Sequence, residues 1–149
     1  MNKSLEQIRV MVVDDDELDR DLVGESFQEG KLVTELVMAE DGEQALDMLF
    51  QRNGHADFQS PDIILLDLNM PKLNGLEVLE KIKKDPVLKV IPVVMLTSSR
   101  TDEEVLKSYG LGANCFLQKP LDPDKLTQVI RNFESFWLKL VRLPVKEGS

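Results

Sequence analysis

Five short apolar runs recur along this chain, and each is followed by a segment whose apolar residues return every three or four positions. The runs are Ile8 to Val13, Val33 to Met38, Ile63 to Leu66, Pro92 to Leu96 and Asn114 to Leu117. Several are apolar or β-branched at successive positions, the pattern of strands covered on both faces. Between them, Leu18, Leu22, Val23 and Phe27 fit one face of a first helix, and Ala45, Met48 and Leu49 that of a second. Leu76, Leu79 and Ile82 suit a third, and Val105, Leu106 and Tyr109 a short fourth. Leu126, Val129, Ile130, Phe133, Trp137 and Leu140 suit a long fifth. Thr101 and Glu104 have capping-box spacing. Asp122-Pro123 places a capping residue before a proline at the first helical position. Gly30 and Gly110 suit helix stops. Strict strand–helix alternation predicts a three-layer α/β domain with a parallel sheet. The polar stretch from Gln51 to Pro61 reads as the longest loop, and Pro144 to Ser149 as a frayed tail.

A length of 149 residues fits one domain, able to bury roughly 70% of its unfolded surface. The expected core spans about residues 8–133, with 134–149 as a C-terminal helical extension and tail. Eighteen Lys and Arg against 27 Asp and Glu give a formal charge of −9. That charge repels a phosphate backbone and argues against nucleic-acid binding. No apolar run approaches the ~20 residues needed to span a bilayer. The N-terminus is too polar for a signal peptide, so a soluble, cytoplasmic protein is expected. Cys115 is the only cysteine and His55 the only histidine. An internal disulfide and multi-His or Cys/His zinc sites are thereby excluded.

Open parallel sheets bind ligands at the carboxyl ends of their strands. The residues that follow the runs are Asp14-Asp15-Asp16, Asp67, Thr97-Ser98-Ser99 and Lys119-Pro120. If the first and third strands are neighbours, Asp14, Asp15 and Asp67 converge. Like charges that close raise one another's pKa, and a divalent cation relieves the repulsion. All-oxygen donors favour Mg²⁺. A carboxylate beside such a cation can attack phosphorus, with Lys119 and Thr97 contacting the transferred oxygens. Taken singly, each element has a plainer reading. The acidic run can cap a helix, Thr97-Ser98-Ser99 can be a polar loop, and Lys119 can be a solvated surface lysine. Their joint arrival at one sheet edge carries the argument.

The segment Asp67-Leu68-Asn69-Met70-Pro71-Lys72-Leu73-Asn74-Gly75, with Val12-Val13-Asp14-Asp15 and Lys119-Pro120, resembles the receiver domain of bacterial two-component response regulators. The likeness runs from Val10 to about Phe133. It implies a flavodoxin-like (βα)5 fold with strand order 2-1-3-4-5. It implies Asp67 as phosphoacceptor, and Mg²⁺ held by Asp15 directly, Asp14 through water, Asp67 and the Asn69 carbonyl. It implies Lys119 as partner of the phosphoryl group, on a cis Lys-Pro peptide. Thr97 and Phe116 would be the switch residues, Phe116 lacking the hydroxyl of the commoner Tyr. Asn69 and Ser99 would influence phosphoryl lifetime. The donor would be a phosphohistidine on a partner kinase, because His55 lies in a polar loop and reads as a surface residue. The output would be a population shift across the fourth helix, fifth strand and fifth helix.

The sequence ending and the loop before Pro61 look like single-domain regulators paired with bacterial phytochromes. No output domain is expected, so docking or onward transfer would carry the signal. The apolar Phe133, Phe136, Trp137 and Leu140 suit either a helix packed on its own sheet or a symmetric homodimer through the face of the fourth helix, fifth strand and fifth helix and the C-terminal extension. A haloacid-dehalogenase-like phosphatase would also use an Asp, a Lys, a Thr and Mg²⁺. It needs an acid two residues after the nucleophile, where Asn69 stands. A flavodoxin would need a phosphate cradle in place of the acidic first loop. A phosphorylation-independent binding module is disfavoured, because Asp15, Asp67, Thr97 and Lys119 are all present.

Overall fold

The computed structural model describes residues 7–30, 33–98, 107 and 109–148, with side chains described as far as Trp137. Five parallel strands, β1 (Gln7–Val13), β2 (Val33–Ala39), β3 (Ile63–Asp67), β4 (Val93–Thr97) and β5 (Cys115–Gln118), form one sheet in the order β2-β1-β3-β4-β5. The chain thus has the flavodoxin-like α/β fold that the motif implied. Helices α1 (Glu17–Gln28), α2 (Gly42–Leu49), α3 (Gly75–Lys84) and the C-terminal helix (Pro123–Gly148) connect or follow the strands. The expected fourth helix and the Thr101/Glu104 cap lie outside the described residues, apart from Lys107, Tyr109 and Gly110.

Alternation along the strands sorts the core into two halves. Met11, Val13, Ile64, Leu66, Val93 and Met95 face α2 and α3. Ile8, Val10, Val12, Ile63, Leu65, Val94 and Leu96 face Val23 and Phe27 of α1 and Leu126 and Ile130 of the C-terminal helix. Every residue of β3 and β4 is buried, which is why these runs are apolar without alternation. Burying each such side chain contributes roughly 1.5–3 kcal/mol. β2 is an edge strand and only half-buried, so the expectation of two covered faces holds for the inner strands alone.

Helix boundaries follow their caps. Asp16, Asp41 and Asn74 each accept backbone N–H groups at the starts of α1, α2 and α3. Asp122 accepts from the Asp124 N–H at 2.9 Å, ahead of Pro123. Of the two expected glycine stops, one holds and one is corrected. Gly30 follows the C-cap Glu29 of α1, its N–H bonds Phe27 O at 3.0 Å, and a Cβ there would collide with the buried Glu134 carboxylate. At the second stop the left-handed residue is Gly112, at φ 103°, whose N–H bonds the Tyr109 carbonyl at 3.0 Å. Gly110 has open space around it. The C-terminal helix continues to Gly148, beyond the expected fraying point at Pro144. Leu18, fitted by spacing to the apolar face of α1, is 78% exposed, whereas Val23 and Phe27 further along that helix are buried. His55 is half-buried within its loop, not fully on the surface.

Candidate functional site

Backbone hydrogen bonds carry the sheet one residue beyond its strands and fix where each loop starts. The Asp14 N–H bonds Ala39 O at 3.1 Å, Leu68 N–H bonds Leu96 O at 2.7 Å, and Lys119 N–H bonds Thr97 O at 2.6 Å. These contacts bring the ends of β1, β3, β4 and β5 to one edge. There Asp14, Asp15 and Asp67 each offer a carboxylate oxygen, all within 4.8 Å of one another. Lys119 Nζ lies 2.8 Å from Asp14 Oδ2 and 3.3 Å from Asp67 Oδ2. It also lies 2.9 Å from Asp19 Oδ2. The Lys119-Pro120 peptide is cis.

Burial is uneven and sets the electrostatics. Asp14 is 0% exposed and Asp67 2%, whereas Asp15 faces solvent. Burial first, and then the charge of Asp14, push the Asp67 carboxyl up to about 7, against the lowering pull of the Asn69 N–H and of Lys119. Burial alone would lower Lys119. Its hydrogen bonds to Asp14 and Asp19, and the charges of Asp14 and Asp67, reverse that and raise it. A cleft lined by Asp15, Asp16, Glu17, Asp19, Asp67, Asn69, Ser98 and Lys119 opens above the Asp67 carboxylate.

The loop after Asp67 is shaped by its neighbours. Asn69 N–H donates to Asp67 Oδ1 at 3.0 Å. The Asn69 side-chain carbonyl accepts from Thr97 Oγ1 at 2.8 Å, Ser98 N–H at 3.1 Å and Ser98 Oγ at 3.2 Å. Thr97, fully buried, is therefore tied to Asn69. Gly75 begins α3 because a Cβ there would lie 2.3 Å from Asp67 O. Asn74 is the N-cap of α3 and accepts from Glu77 N–H at 3.0 Å. Lys72 sits at φ 68°, inside a tight turn in which Leu73 N–H reaches Pro71 O at 2.8 Å.

Asp14, Asp15, Asp67, Asn69, Thr97 and Lys119 thus meet at one site. Phe116 stands apart from it, half-buried and packed against the α2/α3 half of the core. Ser99 lies outside the described residues. Two residues were missed. Asp19 reads in sequence as a helix-start acid three positions after its cap. Arg20, whose Nη1 donates to Asp14 O at 2.6 Å, carries no motif. The oxygen-only donor set, with one carboxyl pushed up by burial and by the charge of Asp14, suits a hard divalent cation. Asp14, Asp15 and Asp67 are the residues able to hold it.

Residues 10–131 match the response regulator receiver domain, and the chain belongs to that family. It is 41% identical to response regulator Rcp1 of Synechocystis sp. over 135 residues, 91% of this chain and 92% of that protein. It is 33% identical to the probable methanogenesis regulatory protein FilR2 of Methanothrix harundinacea, over 91% of this chain and 86% of that one. Among solved structures it is similar to the phosphorylated cyanobacterial phytochrome response regulator RcpA, with a TM-score of 0.79 and 39% identity, over 89% of this chain and 94% of that one. The Mn²⁺-bound form of Rcp1 gives a TM-score of 0.78 at 40% identity, over 88% and 94% of the two chains. The chain is accordingly a response regulator receiver close to phytochrome response regulators. Among the described residues no helix is long and apolar enough to cross a membrane.

Proposed function

We propose that the chain is a single receiver domain, core about 8–133, that accepts a phosphoryl group from a histidine kinase on Asp67. The observation that carries this reading is the environment of Asp67. Its carboxylate is buried at the end of β3, 3.3 Å from the Lys119 ammonium, under a solvent-open cleft. An Asp67 carboxylate oxygen attacks phosphorus and forms a new P–O bond. The P–N bond to the kinase imidazole breaks, and its electron pair leaves with the imidazole. Lys119 offsets the charge on the phosphoryl oxygens. Thr97 leaves Asn69 to meet the phosphoryl group, and Phe116 follows toward the space vacated. Water later hydrolyses the acyl phosphate.

Mg²⁺ would be held by Asp14, Asp15, Asp67 and the Asn69 carbonyl, and when bound it supplies neutralising charge for the phosphoryl oxygens. The protein acts as a cytoplasmic phosphoacceptor, assisting its own transfer and dephosphorylation, and not as an enzyme acting on external substrates. The RcpA and Rcp1 likenesses favour a phytochrome kinase as the donor. They accompany a long C-terminal helix that bears Phe136, 57% exposed, so a homodimer through that helix and the adjoining face is part of the reading.

The test is labelling by an acyl-phosphate donor with Mg²⁺. One phosphoryl group per chain is expected, and none in Asp67→Asn. Full labelling of Asp67→Asn overturns the site. Turnover of small phosphate esters would instead favour the phosphatase alternative.

A further inference from the structure

Asp19 has no part in the chemistry described above, yet it makes one of the closest contacts in the site. Its Oδ2 lies 2.9 Å from Lys119 Nζ, beside Asp14 Oδ2 at 2.8 Å and Asp67 Oδ2 at 3.3 Å. An ammonium has three N–H donors and no acceptor, and these three carboxylates are its ion-pair partners. The three differ in depth. The Asp14 and Asp67 side chains are 0% and 2% exposed, and that of Asp19 is 20% exposed. Asp19 is the most exposed of the three and lines the open cleft, in which Asp67 is buried, so it draws the ammonium toward solvent while the other two draw it inward. Its own position is fixed, because Asp16 caps the turn that carries it and Arg20 bolts that turn to the Asp14 carbonyl at 2.6 Å.

We propose that Asp19 is a positioning residue for phosphoryl transfer, holding the Lys119 ammonium toward the cleft mouth, where the incoming phosphoryl oxygens arrive, and off the attacking Asp67 carboxylate. The inference rests on the phosphoacceptor reading above. Without Asp19, the lysine closes on Asp14 and Asp67 to the short spacing of a charge-assisted bond. It then occupies a lone pair of the nucleophile and leaves the phosphoryl position unattended. A merely repulsive Asp19 would act in the opposite sense, since its removal would ease the approach of an anionic donor.

The experiment compares the full chain with Asp19→Asn, Asp19→Glu and Asp21→Asn. Initial rates of labelling by acetyl phosphate and Mg²⁺ are measured against donor concentration. Asp21→Asn removes the same charge from the same helix at an exposed position outside the cleft lining. Expected is a roughly 5- to 10-fold fall in the saturating rate for Asp19→Asn, with half-saturation at no higher donor concentration. Partial recovery is expected in Asp19→Glu and no fall in Asp21→Asn. An Asp19→Asn rate equal to or above wild type overturns the proposal, as does an equal fall in Asp21→Asn. If the unaltered chain takes no label at all, the phosphoacceptor reading fails. If it labels normally and Asp19→Asn matches it, only the role of Asp19 fails.

Discussion

Replacing Asp67 by Asn is expected to stabilise the fold at neutral and alkaline pH while abolishing phosphoryl acceptance. The amide keeps the size of the side chain and an oxygen for the Asn69 N–H, 3.0 Å away in the parent. What it removes is a charge held in an unfavourable place. Burial and Asp14 raise the Asp67 carboxyl from 3.8 to about 7. The folded state therefore binds the proton more tightly than the unfolded chain does, and stability falls as pH rises between those two values. The penalty is small below about pH 4 and complete above about pH 7. At ~1.4 kcal/mol per pH unit, the ceiling is about 4 kcal/mol. The cleft above Asp67 admits water, and solvent screening reduces the expected gain to about 2 kcal/mol near pH 8 and under ~1 kcal/mol near pH 5. Lys119 keeps Asp14 and Asp19 as partners in the variant, so no unpaired cation offsets the gain. Urea unfolding of both proteins, with a chelator present, reads the difference directly. A variant less stable than the parent near pH 8, or a gain that is the same at both pH values, refutes the argument.

Adding Mg²⁺ should stabilise the parent by about 1.4 kcal/mol at ten times its dissociation constant. Asp15→Asn should lose most of that shift in a thermal melt, and retention of the full shift would exclude Asp15 as a ligand. Gly75→Ala should cost about 3 kcal/mol or more and also lower labelling, because its Cβ would meet backbone, Asp67 O at 2.3 Å and Leu68 Cα at 2.7 Å. Gly110→Ala, with nothing within 4 Å, should leave urea midpoints unchanged or slightly raised, and a loss like that of Gly75→Ala would show that local clash is the wrong cause. Sedimentation should give a two-chain mass for the parent and one chain for Phe136→Glu; a single-chain parent, with and without the phosphoryl group, ends the dimer reading.

The strand positions and the acidic edge were legible in the sequence because both depend on strict local order. Runs such as Ile63 to Leu66 are apolar at every position only if both faces are covered, and the residue following such a run must emerge at the sheet end. That local order is what puts Asp14, Asp67, Thr97 and Lys119 at the strand ends. Contacts between distant segments left no such trace. The tie from Asp19 to Lys119 joins the first turn of α1 to the loop after β5, and an acid three residues past a cap looks like ordinary helix chemistry. Gly30 read as a helix terminator, which it is, but nothing local showed that it also makes room for Glu134, more than a hundred positions away. Leu18 fitted the apolar stripe of α1 by spacing, yet it stands exposed. Periodicity tells which way a side chain points, not whether anything is there to cover it.

Gly75 has a bearing on how a change at Asp67 can spread. Helix α3 rests on the Asp67 carbonyl with no clearance even for a methyl group. That flank is a butt joint, and a group added to the carboxylate cannot displace the helix without distorting the strand itself. The opposite flank is a hinge of three hydrogen bonds, from Thr97 and Ser98 onto the single oxygen of Asn69, and a hinge can swing. Under the phosphoacceptor reading, a group added to Asp67 would find a yielding side only across β4 toward β5, because the other flank has no room for even one Cβ.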